Sequence, residues 1–152
     1  MIEYAVFAAG CFWRVEETFR NLPGVVATAV GYTGGTVANP SYRDVCAGRT
    51  GHAEAVKVSF NPEQISYVEL LGTFWQCHDP TTLNRQGPDV GSQYRSAIFY
   101  AGVAQQQAAE ESLARQRGSG RYRQPIVTEL VPLALFWFAE SEHQQYLAKR
   151  GS

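Results

Sequence analysis

The sequence has little net charge, few cysteines and no long apolar run. Its 152 residues carry a formal net charge of -1, which gives no reason to expect nucleic acid or a membrane surface as a partner. No apolar run approaches the ~20 residues that a membrane span needs, and residues 1–9 lack the pattern of a signal peptide. We therefore expect a cytoplasmic protein that binds neither nucleic acid nor membrane.

Three cysteines, Cys11, Cys46 and Cys77, cannot all pair within one chain. No CxxC or HxxxH spacing predicts a zinc site, so we expect no bound metal or cofactor. Reduced thiols in a reducing compartment are the simpler interpretation. Hydrophobic residues make up 45% of the chain and charged residues 18%, which predicts one compact domain over residues 1–152.

Hydrophobic periodicity and turn residues predict alternating strands and helices. Strands are expected at 2–9, 25–32, 53–60, about 94–101 and about 126–131. Helices are expected after Cys11, after the capping box of Ser66 and Glu69, over about 103–117 and near 140–149. Two polar stretches, 33–51 and 78–93, are interpreted as long loops. The order β-α-β-β-α-β-α-β-α predicts an α+β two-layer domain around a mixed sheet.

Cys11 lies where a predicted buried strand passes into a helix. Its sulfur is expected near the unpaired N–H groups of the helix start, which favour the thiolate and lower the thiol pKa. Because the thiolate is the nucleophilic form, the position favours a reactive cysteine. The alternative from position alone is a small buried hydrophobe at a tight turn.

Glu54 shares one face of its predicted strand with Val56, Val58 and Phe60. Burial on an apolar face disfavours the charged carboxylate and raises its pKa, which keeps a proton available near neutral pH. The alternative is a Glu at a strand end that turns towards water or pairs with Arg49.

Aromatic and polar residues near these two positions are weaker candidates. Phe12 begins the apolar stripe of the first helix, whereas Trp13 lies off that stripe and could wall a pocket. Tyr42 and Tyr94 could donate hydrogen bonds to a substrate oxygen, and Asp89 lies in the same loop as Tyr94. Taken singly, each residue is equally compatible with core packing or an ordinary surface position.

Two other functions are compatible with these residues. Cys11 paired with His52 or His78 would give a cysteine hydrolase or acyltransferase, which needs a histidine as general base. A cleft lined by Phe12, Trp13 and the tyrosines, without chemistry at the cysteine, would give a non-enzymatic peptide-binding module.

A series of motifs resembles one known family. Gly10-Cys11-Phe12-Trp13 is similar to the GCFW signature of the type A peptide methionine sulfoxide reductases. Further similar segments follow in order along the chain: VGY at 30–32, NPSY at 39–42, GHAEAV at 51–56, HDPT at 78–81, DVGSQYRS at 89–96 and AESEHQQY at 139–146. The resemblance covers residues 4–149 and is highly specific as a combined pattern.

The resemblance implies an α+β two-layer sandwich with a ferredoxin-like core, and an oxidoreductase that repairs oxidised proteins. It implies thiol-dependent reduction of the S-epimer of methionine sulfoxide, free or in proteins, since such enzymes act on one epimer each. Cys11 matches the nucleophile, which passes through a sulfenic acid, and Glu54 matches the acid that protonates the sulfoxide oxygen.

The resemblance also implies a binding site and a reductant. Phe12 and Trp13 match the pocket for the substrate methyl group, Tyr42 and Tyr94 match hydroxyls on the oxygen, and Asp89 matches a supporting polar group. The expected reductant is thioredoxin, or glutaredoxin with glutathione, and the expected state is a monomer.

Two positions depart from the family pattern. Arg14 stands where many members have Gly, and it either adds positive charge near the thiolate or is simply solvated. Many members carry recycling cysteines in a C-terminal tail, and the residues after Cys77 include none. We therefore expect Cys11 to remain as sulfenic acid until an external thiol arrives, with a disulfide to Cys46 or Cys77 as the alternative.

Overall fold

A six-stranded mixed sheet organises the protein, whose computed structural model describes residues 1–150. The strands are β1 (Glu3–Ala9), β2 (Val25–Thr33), β3 (Ala53–Phe60), β4 (Arg85–Gln86), β5 (Asp89–Val90), β6 (Ser96–Tyr100), β7 (Glu129–Pro132) and β8 (Trp137–Phe138). The helices are α1 (Phe12–Arg20), α2 (Tyr42–Cys46), α3 (Tyr67–Gln76), α4 (Val103–Arg117) and α5 (Tyr146–Lys149). Across residues 1–150, no helix has both the length and the apolar composition that crossing a bilayer requires.

The sheet order is β7-β6-β1-β3-β2-β8, and β4 and β5 form a separate hairpin. Neighbouring strands run antiparallel except for β6 and β7, which are parallel, so the sheet is mixed as expected. The four central strands follow the order β6-β1-β3-β2, and the ferredoxin-like description stays an interpretation of that order.

The helices α1, α3 and α4 cover one face of the sheet. Large aromatic side chains fill the space between the layers, and Phe7 of β1 stacks on Phe19 of α1 at 5.1 Å between ring centroids. The other face carries small residues such as Ala8 and Ala55, packed against the segment that contains Phe136. The predicted α+β two-layer architecture is therefore confirmed.

The capping box before α3 forms as the sequence predicts. The Glu69 N–H donates to Ser66 Oγ at 3.0 Å, and the Ser66 N–H donates to Glu69 Oε1 at 3.0 Å. These two bonds satisfy backbone donors that a helix start otherwise leaves unpaired, which fixes where α3 begins.

Both predicted loops contain short elements that the sequence analysis missed. Residues 33–51 include α2, which begins at a second capping box of Ser41 and Asp44. Residues 78–93 include the β4–β5 hairpin and the start of a 3₁₀ turn at Ser92–Tyr94. Elements of two to five residues are too short to show a hydrophobic period, so the assignment of both stretches as plain loops was wrong.

The C-terminal region also differs from the prediction. The expected helix near 140–149 is a 3₁₀ turn at Ser141–His143 followed by the short α5, and the strand expected at about 126–131 is β7 at 129–132. The additional strand β8 pairs with β2 beside Gly31. A Cβ at Gly31 would overlap the Phe136 ring and the Trp137 carbonyl, so this close approach requires glycine.

Candidate active site

Cys11 is the residue at which β1 turns into α1. Gly10, at φ +101°, makes the turn, and Cys11 occupies the N-cap position of α1. The Trp13 and Arg14 N–H groups interact with the Cys11 sulfur, as the helix-start position predicts. The thiol is half-buried, so a small molecule can reach it.

The expected lowering of the Cys11 pKa is wrong in its net direction. Burial raises the pKa of the thiol above its ordinary value, and the negative charge of Glu54 raises it further. The Trp13 and Arg14 N–H groups and the Arg14 charge lower it, but they do not offset burial. Desolvation of the thiolate therefore outweighs the helix-start effect.

Glu54 lies on the helix-facing side of β3 and is 1% exposed. Its Oε1 accepts a hydrogen bond from the Phe12 N–H at 3.2 Å, which holds the carboxyl group beside the first turn of α1. Its Oε2 is buried and has no hydrogen-bond partner among the described residues. Burial raises the Glu54 pKa to about 7, Asp89 raises it slightly, and the Phe12 N–H lowers it.

Tyr42 and Tyr94 converge on the same region as Glu54. Burial raises the pKa of each phenol, and the Glu54 charge raises both further, so both hydroxyls remain proton donors at neutral pH. Tyr42 also interacts with Cys46, its i+4 neighbour on α2, and Cys46 interacts with Tyr94. Both predicted tyrosines thus lie near Glu54, together with a second thiol.

Aromatic rings form one wall of the site. Trp13 stacks on Tyr146 at 3.9 Å between centroids, and its Nε1–H donates to His143 Nδ1 at 3.1 Å. The Tyr42 and His143 rings are 4.2 Å apart. Phe12 is fully buried behind this wall, with its ring 5.8 Å from that of His143. The half-buried Trp13 therefore presents an apolar surface next to Cys11.

Asp89 lies at the edge of the site, on the β4–β5 hairpin. Its Oδ2 accepts a hydrogen bond from Arg14 Nη2 at 3.0 Å, in an ion pair that is largely exposed. Arg14 is thus neither free in solvent nor in contact with the core, and its charge favours the Cys11 thiolate. The structure brings together all seven residues that the sequence singled out.

This arrangement combines a nucleophile, a proton donor, two hydroxyls and an apolar surface. A thiol attacking a polar group would have a neutral acid and two O–H donors next to the atom that accumulates charge. Among residues 1–150, no group of three or more His, Cys, Asp and Glu side chains is placed to hold a metal ion.

The whole-chain comparisons agree with this chemistry. The family model described as peptide methionine sulfoxide reductase matches residues 3–152. The chain belongs to this family. A peptide methionine sulfoxide reductase MsrA from Geobacter sulfurreducens is 57% identical over 150 residues, which are 99% of this chain and 93% of the relative. The solved methionine sulfoxide reductase A of Corynebacterium diphtheriae is 42% identical, with a TM-score of 0.88 over 99% of this chain and 76% of that one.

Membership in the peptide methionine sulfoxide reductase family establishes the reaction class. The protein is an oxidoreductase that reduces methionine sulfoxide with thiols as reductant. The hydrolase alternative has no support, because both candidate bases are engaged elsewhere. His52 Nδ1 accepts from the Gly35 N–H and its Nε2 donates to the Val37 carbonyl, while burial lowers the pKa of His78 to about 4. Nor does any finding support a binding module without catalysis.

In this reductase, sequence reasoning missed the residues that hold the C-terminal wall. Glu16 is buried on α1 and accepts hydrogen bonds from Thr28 and from both the backbone and the side chain of Gln145. Gln145 adopts a left-handed conformation, φ +50°, directly before Tyr146. The sequence did contain one signal for Glu16, since a Glu one turn after Phe12 lies on the buried side of the amphipathic helix and therefore needs hydrogen-bond partners.

Glu140 is the other missed residue. Its two carboxylate oxygens accept from the Tyr32 hydroxyl at 2.9 Å and from the Tyr42 N–H at 3.0 Å. These bonds connect the C-terminal segment to the start of α2 and so place the Tyr42 ring. The AESEHQQY motif contains Glu140, but a motif match alone assigns no hydrogen bonds.

Proposed function

We propose that this reductase acts on the S-epimer of methionine sulfoxide, free or in proteins, with Cys11 as nucleophile and Glu54 as general acid. The Cys11 thiolate attacks the sulfoxide sulfur while Glu54 transfers its proton to the oxygen. The oxygen passes to Cys11, methionine is released, and Cys11 is left as sulfenic acid. Reduction of the sulfenic acid by thiols then returns Cys11 to the thiol for the next turnover.

The half-partnered carboxyl group of Glu54 is the observation that carries this proposal. One oxygen is fixed by the Phe12 N–H, and the other is buried with no partner among the described residues. A buried polar atom without a partner is costly, so substrate that supplies one gains affinity. Because the Glu54 pKa is about 7, a large fraction of molecules carries the required proton at neutral pH.

Substrate placement follows from the chemistry of the surrounding groups. The Trp13 face, backed by buried Phe12, would hold the methyl group of the substrate by apolar contact. The Tyr42 and Tyr94 hydroxyls would donate to the sulfoxide oxygen, and Asp89 would support them from the hairpin. Fixed positions for methyl group, oxygen and sulfur leave one direction for the remaining substituent, which selects one epimer.

A thioredoxin is one candidate reductant, and glutaredoxin with glutathione is another. Mxr1 of Saccharomyces cerevisiae, solved in complex with Trx2, is 25% identical to this chain, with a TM-score of 0.67 over 95% of it and 84% of that chain. The relationship supports a thioredoxin-type partner. We further propose a monomeric single-domain enzyme of the cytoplasm that needs no bound metal or cofactor and binds neither nucleic acid nor membrane.

The test is an assay of methionine release from separated sulfoxide epimers, with dithiothreitol as reductant. The S-epimer should be reduced and the R-epimer should not. Cys11→Ser should abolish the reaction, whereas Cys46→Ser, the matched removal of a thiol near Tyr42, should not. Substantial activity in Cys11→Ser would refute the assignment of the nucleophile.

A further inference from the structure

A cavity beside Cys11 has no part in the proposed attack on the substrate. It has a volume of about 200 Å³, and its walls come from α1, from the end of α3 at Cys77, and from the turn at Gly87 and Pro88. Cys11 lines it, but Glu54, Tyr42 and Tyr94 do not. Cys11 therefore lines a cavity whose walls contain none of the oxygen-binding groups.

In the second half-reaction, the chemistry constrains the side from which the reducing thiol approaches the Cys11 sulfur. A sulfenic acid formed by the proposed reaction has its oxygen on the side of Glu54. A thiolate that displaces this oxygen approaches the sulfur opposite the breaking S–O bond, because the forming and breaking bonds share one axis. None of the oxygen-binding residues lines the cavity, so a thiol within it can approach the Cys11 sulfur without displacing them.

The cavity has a distinct size and charge. Its volume is several times the ~30 Å³ that one water molecule occupies, and it is smaller than typical drug-sized pockets of ~300–1,000 Å³. Among the described residues that line it, Arg14 is the charged one. Arg14 is 63% exposed and pairs with Asp89, and an exposed ion pair contributes little net free energy. The Arg14 guanidinium can therefore donate hydrogen bonds to a second carboxylate with little loss of free energy from its pair with Asp89.

We propose that this cavity is an entry site for small reducing thiols, which can act on Cys11 beside a protein reductant, and that it selects a thiol bearing a carboxylate, which Arg14 binds. The inference rests on the proposed function, because it requires a sulfenic acid on Cys11. Arg14 acts as a specificity residue for the second substrate of the reaction.

The chemistry of the step is balanced. The incoming thiol, as thiolate, forms an S–S bond to Cys11 while the S–O bond breaks, and the departing oxygen leaves as water with the proton that the thiol released. A second molecule of thiol then attacks the mixed disulfide, which releases the oxidised dimer of the reductant and free Cys11. Two thiols thus supply the two electrons that reduce one sulfenic acid.

Cys77 lines the same cavity but is a poor candidate for the attacking thiol. Burial raises its pKa to about 12, and its Sγ–H donates to the Phe74 carbonyl at 3.3 Å. The neighbouring His78 Nδ1 donates to that same carbonyl at 2.8 Å and so has no free lone pair for the Cys77 proton. An external thiol meets no such obstacle.

The experiment separates the two half-reactions. The reduced enzyme first reacts with one equivalent of the S-epimer without reductant, and methionine release and dimedone labelling of Cys11 are measured. The oxidised enzyme is then mixed with 3-mercaptopropionate, 2-mercaptoethanol or cysteamine, which are anionic, neutral and cationic. The decay of the dimedone-reactive species gives a rate constant for each thiol. Failure of the first stage would refute the proposed function, whereas the second stage tests the entry site.

The variants are Arg14→Gln, Arg14→Lys and the control Arg20→Gln. Arg20 is a second arginine of α1 that pairs with a carboxylate, Glu17, and it does not line the cavity. Arg14→Gln should lower the rate constant for reduction by 3-mercaptopropionate about two- to five-fold, as expected for loss of one exposed ion pair. It should not lower the rate constant for reduction by cysteamine. Arg14→Lys should retain most of the effect, and Arg20→Gln should change none of the three rates. Comparing variants thiol by thiol cancels differences in thiol acidity.

Three results would overturn the proposal. The first is a reduction of all three rate constants by the same factor in Arg14→Gln, which would indicate a structural effect on Cys11. The second is an Arg20→Gln variant that matches Arg14→Gln, which would indicate a general effect of net charge. The third is a Cys11–Cys77 linked peptide as the main product of the first stage, in which case the cavity serves an internal thiol.

Discussion

Replacing Glu54 with Gln tests the origin of the raised Glu54 pKa through protein stability. The amide oxygen of Gln can accept the same hydrogen bond from the Phe12 N–H, and the two side chains have nearly the same shape. The substitution therefore removes the titration and leaves the packing in place. Its amide N–H₂ group gains no new acceptor, but that cost is the same at every pH.

The sign of the effect follows from the two pKa values. Below pH 4.5 Glu54 is protonated in both the unfolded and the folded protein and contributes no pH dependence. Between pH 4.5 and about 7 the unfolded state loses its proton while the folded state keeps it, so the free energy of unfolding falls as pH rises. Above pH 7 the free energy of unfolding falls no further on account of Glu54, and the total decrease is about 3 kcal/mol for a pKa shift of this size.

The assay is urea unfolding of the parent and Glu54→Gln proteins between pH 4 and pH 9. The difference in free energy of unfolding, Glu54→Gln minus parent, should increase by about 3 kcal/mol from the acidic to the alkaline limit. Glu111→Gln, at an exposed position of α4, controls for effects of any Glu to Gln change. A difference that stays constant with pH would show that the Glu54 pKa is not raised, and would remove it as a neutral acid.

Other predictions address the chemistry and the C-terminal wall. Glu54→Gln should slow methionine release in a single turnover by ~10²–10⁴-fold, and Glu54→Asp should be milder; equal rates for the Glu54→Gln and parent proteins would exclude Glu54 as the acid. Cys46→Ser and Cys77→Ser should leave a single turnover intact, and dimedone should label Cys11 in the parent; a linked peptide as main product would make its second cysteine the resolving residue. Glu16→Ala should lower the free energy of unfolding by on the order of 3 kcal/mol in urea, because it leaves buried donors unpaired; unchanged stability would show that this network is unimportant.

The placement of Cys11 and Glu54 could be predicted from the sequence because both positions depend on local geometry. A turn between a buried strand and a helix puts one side chain at the helix start, and strand alternation alone puts Glu54 among Val56 and Phe60. The local pattern left open whether Glu54 turns towards water or pairs with Arg49, and the structure shows it buried, with its pKa raised by desolvation.

The net pKa of Cys11 and the C-terminal wall depend on distant contacts. Trp13 and His143 are 130 positions apart, and the pairing of Glu16 with Gln145 spans 129. No periodicity connects such residues, and Gln145 adopts a positive φ that its residue type does not predict. The lowering of the Cys11 pKa by the helix start could be predicted from the sequence, whereas the burial that raises this pKa could not.

Burial raises the pKa of both Cys11 and Glu54, and this bears on how the proposed reaction starts. The reaction needs a thiolate and a neutral acid together, and the Glu54 charge disfavours the thiolate, so protonation of Glu54 favours ionisation of Cys11. Near pH 8 the pair holds one proton, and it resides on Cys11, because burial raises the thiol pKa above its ordinary value whereas the Glu54 pKa is about 7. Moving that proton to Glu54 creates the reactive form without changing the net charge. A bound sulfoxide favours this transfer, since its oxygen accepts a hydrogen bond from the protonated acid.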